Sequence, residues 1–317
     1  MAHRYNYVVE SGGILMKTHE SPKISLIAAW IIVLGASLLP KIIPQEIFHL
    51  TVSFTTQTIF STVLIGIGLL LTLIWEPMRR LRSFLVLFLV LVCVQWVVFT
   101  QIGTLPFYKS LLDNPSFNIY MLAELSLKLI ITGVIIAVLY LIKKNRADFF
   151  LVKGNISAPV EPVRWLGVGK GENWKKFGLI LSLCISLGTL SFLVFAGRPP
   201  LNIVVKALPF LPAVLLAAAL NAFNEEMTYK ASFLSVLEGP VGKKQALLLM
   251  AAFFGIFHYY GIPYGIIGVI MAGFLGWILG KSMLETRGFF WAWFIHFLQD
   301  VMIFTFLAIG SITAGGA

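Results

Sequence analysis

FFWAWFIHFLQDVMIFTFLAI, residues 289–309, decides the fold class. The stretch is apolar for long enough to cross the ~30 Å hydrocarbon core of a bilayer, which takes ~20 helical residues. Its only ionisable side chains are His296 and Asp300, one helical turn apart on one face. An imidazole and a carboxylate are costly in lipid, so a span that keeps both turns them toward a bundle interior or a water-filled cavity.

Similar stretches recur along the chain. They run approximately over residues 24–43, 50–75, 84–102, 119–142, 177–196, 206–225, 246–260 and 262–279, which with 289–309 makes nine expected spans. With 58% hydrophobic and 12% charged residues the composition lies far from that of a soluble domain. The expected fold class is therefore all-α, a polytopic membrane helical bundle of about eight or nine transmembrane helices. Pro40, Pro44, Pro209 and Pro212 blur span ends, and residues 104–112 read as a short interfacial or re-entrant piece.

The net charge of +10 is explained by topology rather than by nucleic acid. With the N-terminus cytoplasmic, the inner segments hold 19 of the 24 Lys and Arg residues, the asymmetry expected of cytoplasmic loops facing anionic lipid headgroups. Four regions follow. Residues 1–23 are a cytoplasmic tail without the apolar core of a signal peptide, and residues 24–142 form a four-span membrane region. Residues 143–176 are a basic cytoplasmic loop, and residues 177–317 a membrane core that holds nearly all the intramembrane chemistry. Cys93 and Cys184 both fall within spans, which supports neither a disulfide framework nor a cysteine metal cluster. Glu124 and Lys128, spaced i,i+4 in the fourth span, read as an internal ion pair or as interfacial snorkelling.

Three clusters carry the chemistry of the core. The first is Glu225, Glu226 and Lys230; adjacent helical residues diverge by about 100°, so the two glutamates are expected to serve different targets, Glu226 pairing with Lys230. The second is Phe254 with His258, and the third His296 with Asp300. The turn signal from Glu238 to Gly242 lies midway between Glu225 and His258, so an antiparallel helical hairpin would bring the two to similar heights. Gly268, Ala272, Gly276 and Gly280 form a small-residue ridge suited to close helix contact.

These residues resemble the three motifs of the CPBP family, the type II CAAX prenyl endopeptidases and bacteriocin-processing intramembrane proteases. The family pattern is Glu-Glu-x-x-x-Arg, Phe-x-x-x-His and His-x-x-x-Asn or Asp, on successive membrane helices. Lys230 stands where the family usually has Arg, keeping the charge but losing the planar fork. The resemblance implies a glutamate at Glu225 and a histidine at His258 that activate water, with His296 and Asp300 stabilising the oxyanion. Glu226, Lys230 and Phe254 take supporting places.

Such chemistry fits peptide hydrolysis, which needs a base for water and a donor where negative charge develops on the carbonyl oxygen. The expected donor is His296, oriented by Asp300. No cofactor is expected, and the expected partners are membrane lipids and a membrane-associated, CAAX-like lipidated protein or peptide as substrate. Three other readings stay open: a zinc-dependent metalloprotease with Glu225, His258 and His296 as ligands, a non-catalytic immunity or scaffold protein, and a proton-coupled transporter.

Overall fold

The structure is a computed structural model that describes residues 21–143 and 145–315; the first 20 residues of the tail expected over residues 1–23 lie outside them. Among the described residues the chain is helical, with only two isolated β-bridges, Pro159 to Asn173 and Val163 to Val168. The main helices are α1 (Ser21–Gly35), α2 (Leu39–Phe48), α3 (Phe54–Ile74), α4 (Arg82–Ile102) and α5 (Phe117–Lys143). They continue as α6 (Trp174–Gly197), α7 (Leu201–Val241), α8 (Lys243–Phe257), α9 (Ile266–Thr286) and α10 (Phe290–Gly315).

Seven of these are long and apolar enough to span a bilayer, and α1 with α2, bent by 53° at their junction, can make an eighth. The protein is a multi-pass membrane bundle. Apolar side chains such as Leu141, Phe195 and Leu216 point outward, as lipid-facing residues must.

The expected nine spans differ from this set in the C-terminal half, for local reasons. The span expected over 206–225 is part of the 41-residue α7, whose Pro209 and Pro212 each sit in the first turn of a new helical piece, where a missing N–H costs no bond. The span expected over 246–260 is only the 15-residue α8. Pro263 and the left-handed Gly265 then delay the next helix to Ile266, and α9 runs on to Thr286 because Lys281 and Glu285 neutralise each other inside it. The piece at 104–112 is a short helix, Pro106–Leu112.

At the turn expected from Glu238 to Gly242 the chain does reverse, with Gly242 at φ 81°, and α8 returns along α7. Helices α8 and α9 approach closely: a Cβ on Gly255 would lie 2.6 Å from the Val269 carbonyl oxygen. The two halves of the chain share one core, in which Phe84 and Phe88 of α4 meet Phe233 and Phe253 edge-on.

The basic segment between α5 and α6 is a folded cap on one end of the bundle. Phe149, Phe150, Val160 and Trp174 are buried in it. Backbone bonds tie it to the α9–α10 turn, Asn155 N to Thr286 O at 2.8 Å and Phe289 N to Val152 O at 2.8 Å. Trp174 Nε1 donates to Glu285 and Trp291 Nε1 to the Ile156 carbonyl. A hydrogen bond from Lys243 holds the Glu161 carboxyl below its ordinary pKa.

Candidate active site

Helix α7 carries one wide, π-type turn over Glu226–Ala231, immediately after Glu225. Such turns interrupt the regular helical ladder and recur at functional sites. Glu226, Thr228 and Lys230 are buried there, and Asn224 just before it.

His296 is the centre of the arrangement. Its Nδ1 lies 2.7 Å from Glu226 Oε1 in a hydrogen bond, and its Nε2 lies 3.5 Å from Asp300 Oδ1 and 3.8 Å from Glu225 Oε2. The expectation that Glu225 and Glu226 serve different targets is thus corrected. An imidazole presents nitrogens on two edges, so two diverging carboxylates reach the same ring from opposite sides. The carboxylate bonded to Nδ1 is that of Glu226, whereas Asp300 sits near the other nitrogen.

Glu226 also lies 2.7 Å from Lys230 Nζ, an ion pair with both side chains fully buried. The ammonium is close to the oxygen without hydrogen-bond alignment, and Glu226 Oε2 has no hydrogen-bond partner among the described residues. The same ammonium lies 3.4 Å from the centroid of the Phe254 ring, a cation–π contact. The same ring packs on His258, with centroids 4.4 Å apart. Phe254 therefore touches both the cation and the second histidine.

His258 closes α8 at its C-terminal end. Its Nδ1 is 2.7 Å from the Phe254 carbonyl oxygen, four residues back. A carbonyl only accepts, so Nδ1 carries the hydrogen and donates it, leaving Nε2 as the nitrogen that can accept. Glu225, His258, His296 and Asp300 all line one cavity of about 580 Å³. Its walls continue in apolar residues such as Ile185, Met271, Phe274, Leu275 and Ile303.

Two residues outside the three motifs complete the site. Asn221 Nδ2 donates to Glu225 Oε1 at 3.2 Å and to Asp300 Oδ2 at 3.0 Å, bridging two carboxylates from different helices. Its Oδ1 accepts from Lys128 Nζ at 3.0 Å. Lys128 does pair with Glu124, at 2.9 Å, but both residues also line the cavity. Thr132 joins Asn224 and Thr228 by bonds of 2.9 Å, and Gln95 donates to the Tyr229 hydroxyl at 2.7 Å. Sequence spacing gave no sign of Asn221, since an amide one turn before a glutamate is unremarkable until both carboxylates are seen beside it.

Among the described residues no three His, Cys, Asp or Glu side chains are placed to hold one metal ion. Glu225, His258 and His296 share the cavity without converging on a point within it, so the trio proposed for zinc does not fit such an ion in this arrangement.

Residues 207–302 match the family model described as type II CAAX prenyl endopeptidase Rce1-like. The match covers the three motifs and Asn221, and leaves out α1 to α6. No curated protein and no solved structure matches the chain.

Proposed function

We propose, from the Rce1-like type II CAAX prenyl endopeptidase region at residues 207–302, that the protein hydrolyses a peptide bond of a membrane-associated protein within the bilayer. Its C-terminal region is that of a CPBP intramembrane protease, and the family is one of peptidases. What this chain's own residues do is the further step.

In this reading Glu225 is the general base. Its carboxylate takes a proton from a water that His258 Nε2 also holds, and the hydroxide attacks the scissile carbonyl. His296 stabilises the oxygen that becomes negative. With Nδ1–H committed to Glu226, the ring donates from Nε2 only as imidazolium, and Glu225, Glu226 and Asp300 around it supply the compensating charge. Asp300 as a carboxylate cannot donate to an oxyanion; it accepts from Asn221 and keeps Nε2 turned into the cavity. The apolar walls suit a lipidated or otherwise membrane-bound substrate.

The observation that carries the reading is that Glu225, the free nitrogen of His258 and His296 face one cavity from three different helices. The test is Glu225→Gln, nearly isosteric but unable to accept the proton. It should abolish cleavage while the protein inserts and unfolds like the wild type, and should trap substrate in native membranes. Full proteolysis by this variant would sink the assignment.

A further inference from the structure

A hydrolase site between membrane helices needs a supply of water, and the proposed function leaves open how water arrives. Two further chambers bear on this. One, of about 100 Å³, is lined by Glu225, His258, Asn224, Thr132 and Tyr229. The other, of about 40 Å³, lies between Ser37 at the α1–α2 break, Gln57 and Ser61 near the start of α3, and Gln95 of α4. A cavity needs only ~10–15 Å³ of such volume to hold one water, provided polar groups are there to bind it.

Each chamber holds a buried polar atom that the protein does not satisfy. Gln57 Nε2 donates to the Ser37 carbonyl at 2.5 Å and to Ser61 Oγ at 3.3 Å, which fixes its amide and leaves Oε1 with no partner among the described residues. Asn224 Oδ1 accepts from Thr132, which leaves Nδ2 in the same state. Polar residues beside a broken span ordinarily serve the backbone carbonyls freed at the break. That role accounts for Gln57 Nε2 and Ser61 Oγ; it does not account for Gln57 Oε1 or Asn224 Nδ2. Buried groups of this kind are commonly met by ordered water.

Three residues separate the chambers. Phe257 lines both, and Gln95, on the wall of the smaller one, donates to the hydroxyl of Tyr229, on the wall of the larger. The Tyr229 and Phe257 rings stand 5.4 Å apart, so the polar contact runs beside an aromatic pair.

We propose that the two chambers form a water route to Glu225 through the N-terminal helices, from the end of the bundle where α2 meets α3, with Gln95 and Tyr229 as its polar gate. The proposal rests on the hydrolase reading for its purpose but not for its test. Hydroxyl-radical footprinting of the full chain in lipid nanodiscs should label Tyr229 and Phe257, since such labelling requires water beside the ring. Gln57→Leu, which removes the acceptor from the smaller chamber, should cut that labelling several-fold and lower kcat with KM unchanged. Gln95→Met, close in volume and without a donor, should do the same if Gln57→Leu does not fold. Unchanged labelling of Tyr229 and Phe257 in a folded variant overturns the route, because water then arrives elsewhere, and leaves the hydrolase reading standing. Labelling that falls in Gln57→Leu while the wild type cleaves no membrane-bound reporter overturns the hydrolase reading and leaves the route standing.

Discussion

Lys128 of α5 donates a hydrogen bond to the side chain of Asn221 on α7, 93 residues further along the chain. That bond fixes which way the amide points, since an ammonium meets only the carbonyl end. The NH₂ end is thereby aimed at Glu225 and Asp300.

Breaking the bond should loosen both carboxylates. Lys128→Met is expected to lower kcat by ~10-fold or more, since misplacing a reacting group by an ångström costs rate steeply. Lys128→Arg, which keeps a cationic donor, should recover part of it. Steady-state kinetics on a membrane-bound reporter would decide; equal activity in Lys128→Met would show that Asn221 holds its orientation without help.

The Glu226–Lys230 pair makes a separate prediction about stability. Glu226→Gln leaves an ammonium buried without its counter-ion, and breaking a buried pair in this way typically costs ~3–5 kcal/mol. Glu226→Gln with Lys230→Met should regain much of the stability but little of the activity, because a neutral amide accepts from His296 Nδ1 without the charge that supports the imidazolium. A double-mutant cycle of unfolding midpoints beside initial rates separates the two effects.

Metal dependence can be settled directly. Exhaustive chelation of purified protein should leave the rate unchanged, while His258→Ala should lose ~10²-fold, the usual contribution of a positioned acid–base group. Activity that vanishes on chelation and returns with zinc would move the assignment to a metalloprotease.

Orientation in the membrane is read from the basic residues of the cap, and Lys170 is the place to test it. The residue is exposed in the cap. A cysteine at 170, in a Cys93→Ala, Cys184→Ala background, should resist impermeant thiol reagents added to intact cells. Rapid labelling from outside would invert the topology.

What the sequence made legible follows from what periodicity and spacing can encode. Long apolar runs announced the bundle, and the hairpin at Gly242 set Glu225 and His258 on one cavity because helical rise is constant. Other features depend on three-dimensional partners. Lys128 read as half of an ion pair since its second partner lies far along the chain. The cap read as a loop because its buried Phe149 and Trp174 are isolated in a polar, glycine-rich segment with no helical period. The separate targets expected for Glu225 and Glu226 followed from backbone geometry alone, which says nothing of a ring that accepts company on both edges.

The cation at 230 has a consequence for how this chain could be altered by descent or by design. Its ammonium is compact, fully enclosed, and seated on the face of Phe254, a ring that also packs on His258. An arginine would bring a broader planar group against that ring and, through it, against the histidine. Lys230→Arg is therefore expected to disturb the packing of Phe254 and, through that ring, of His258.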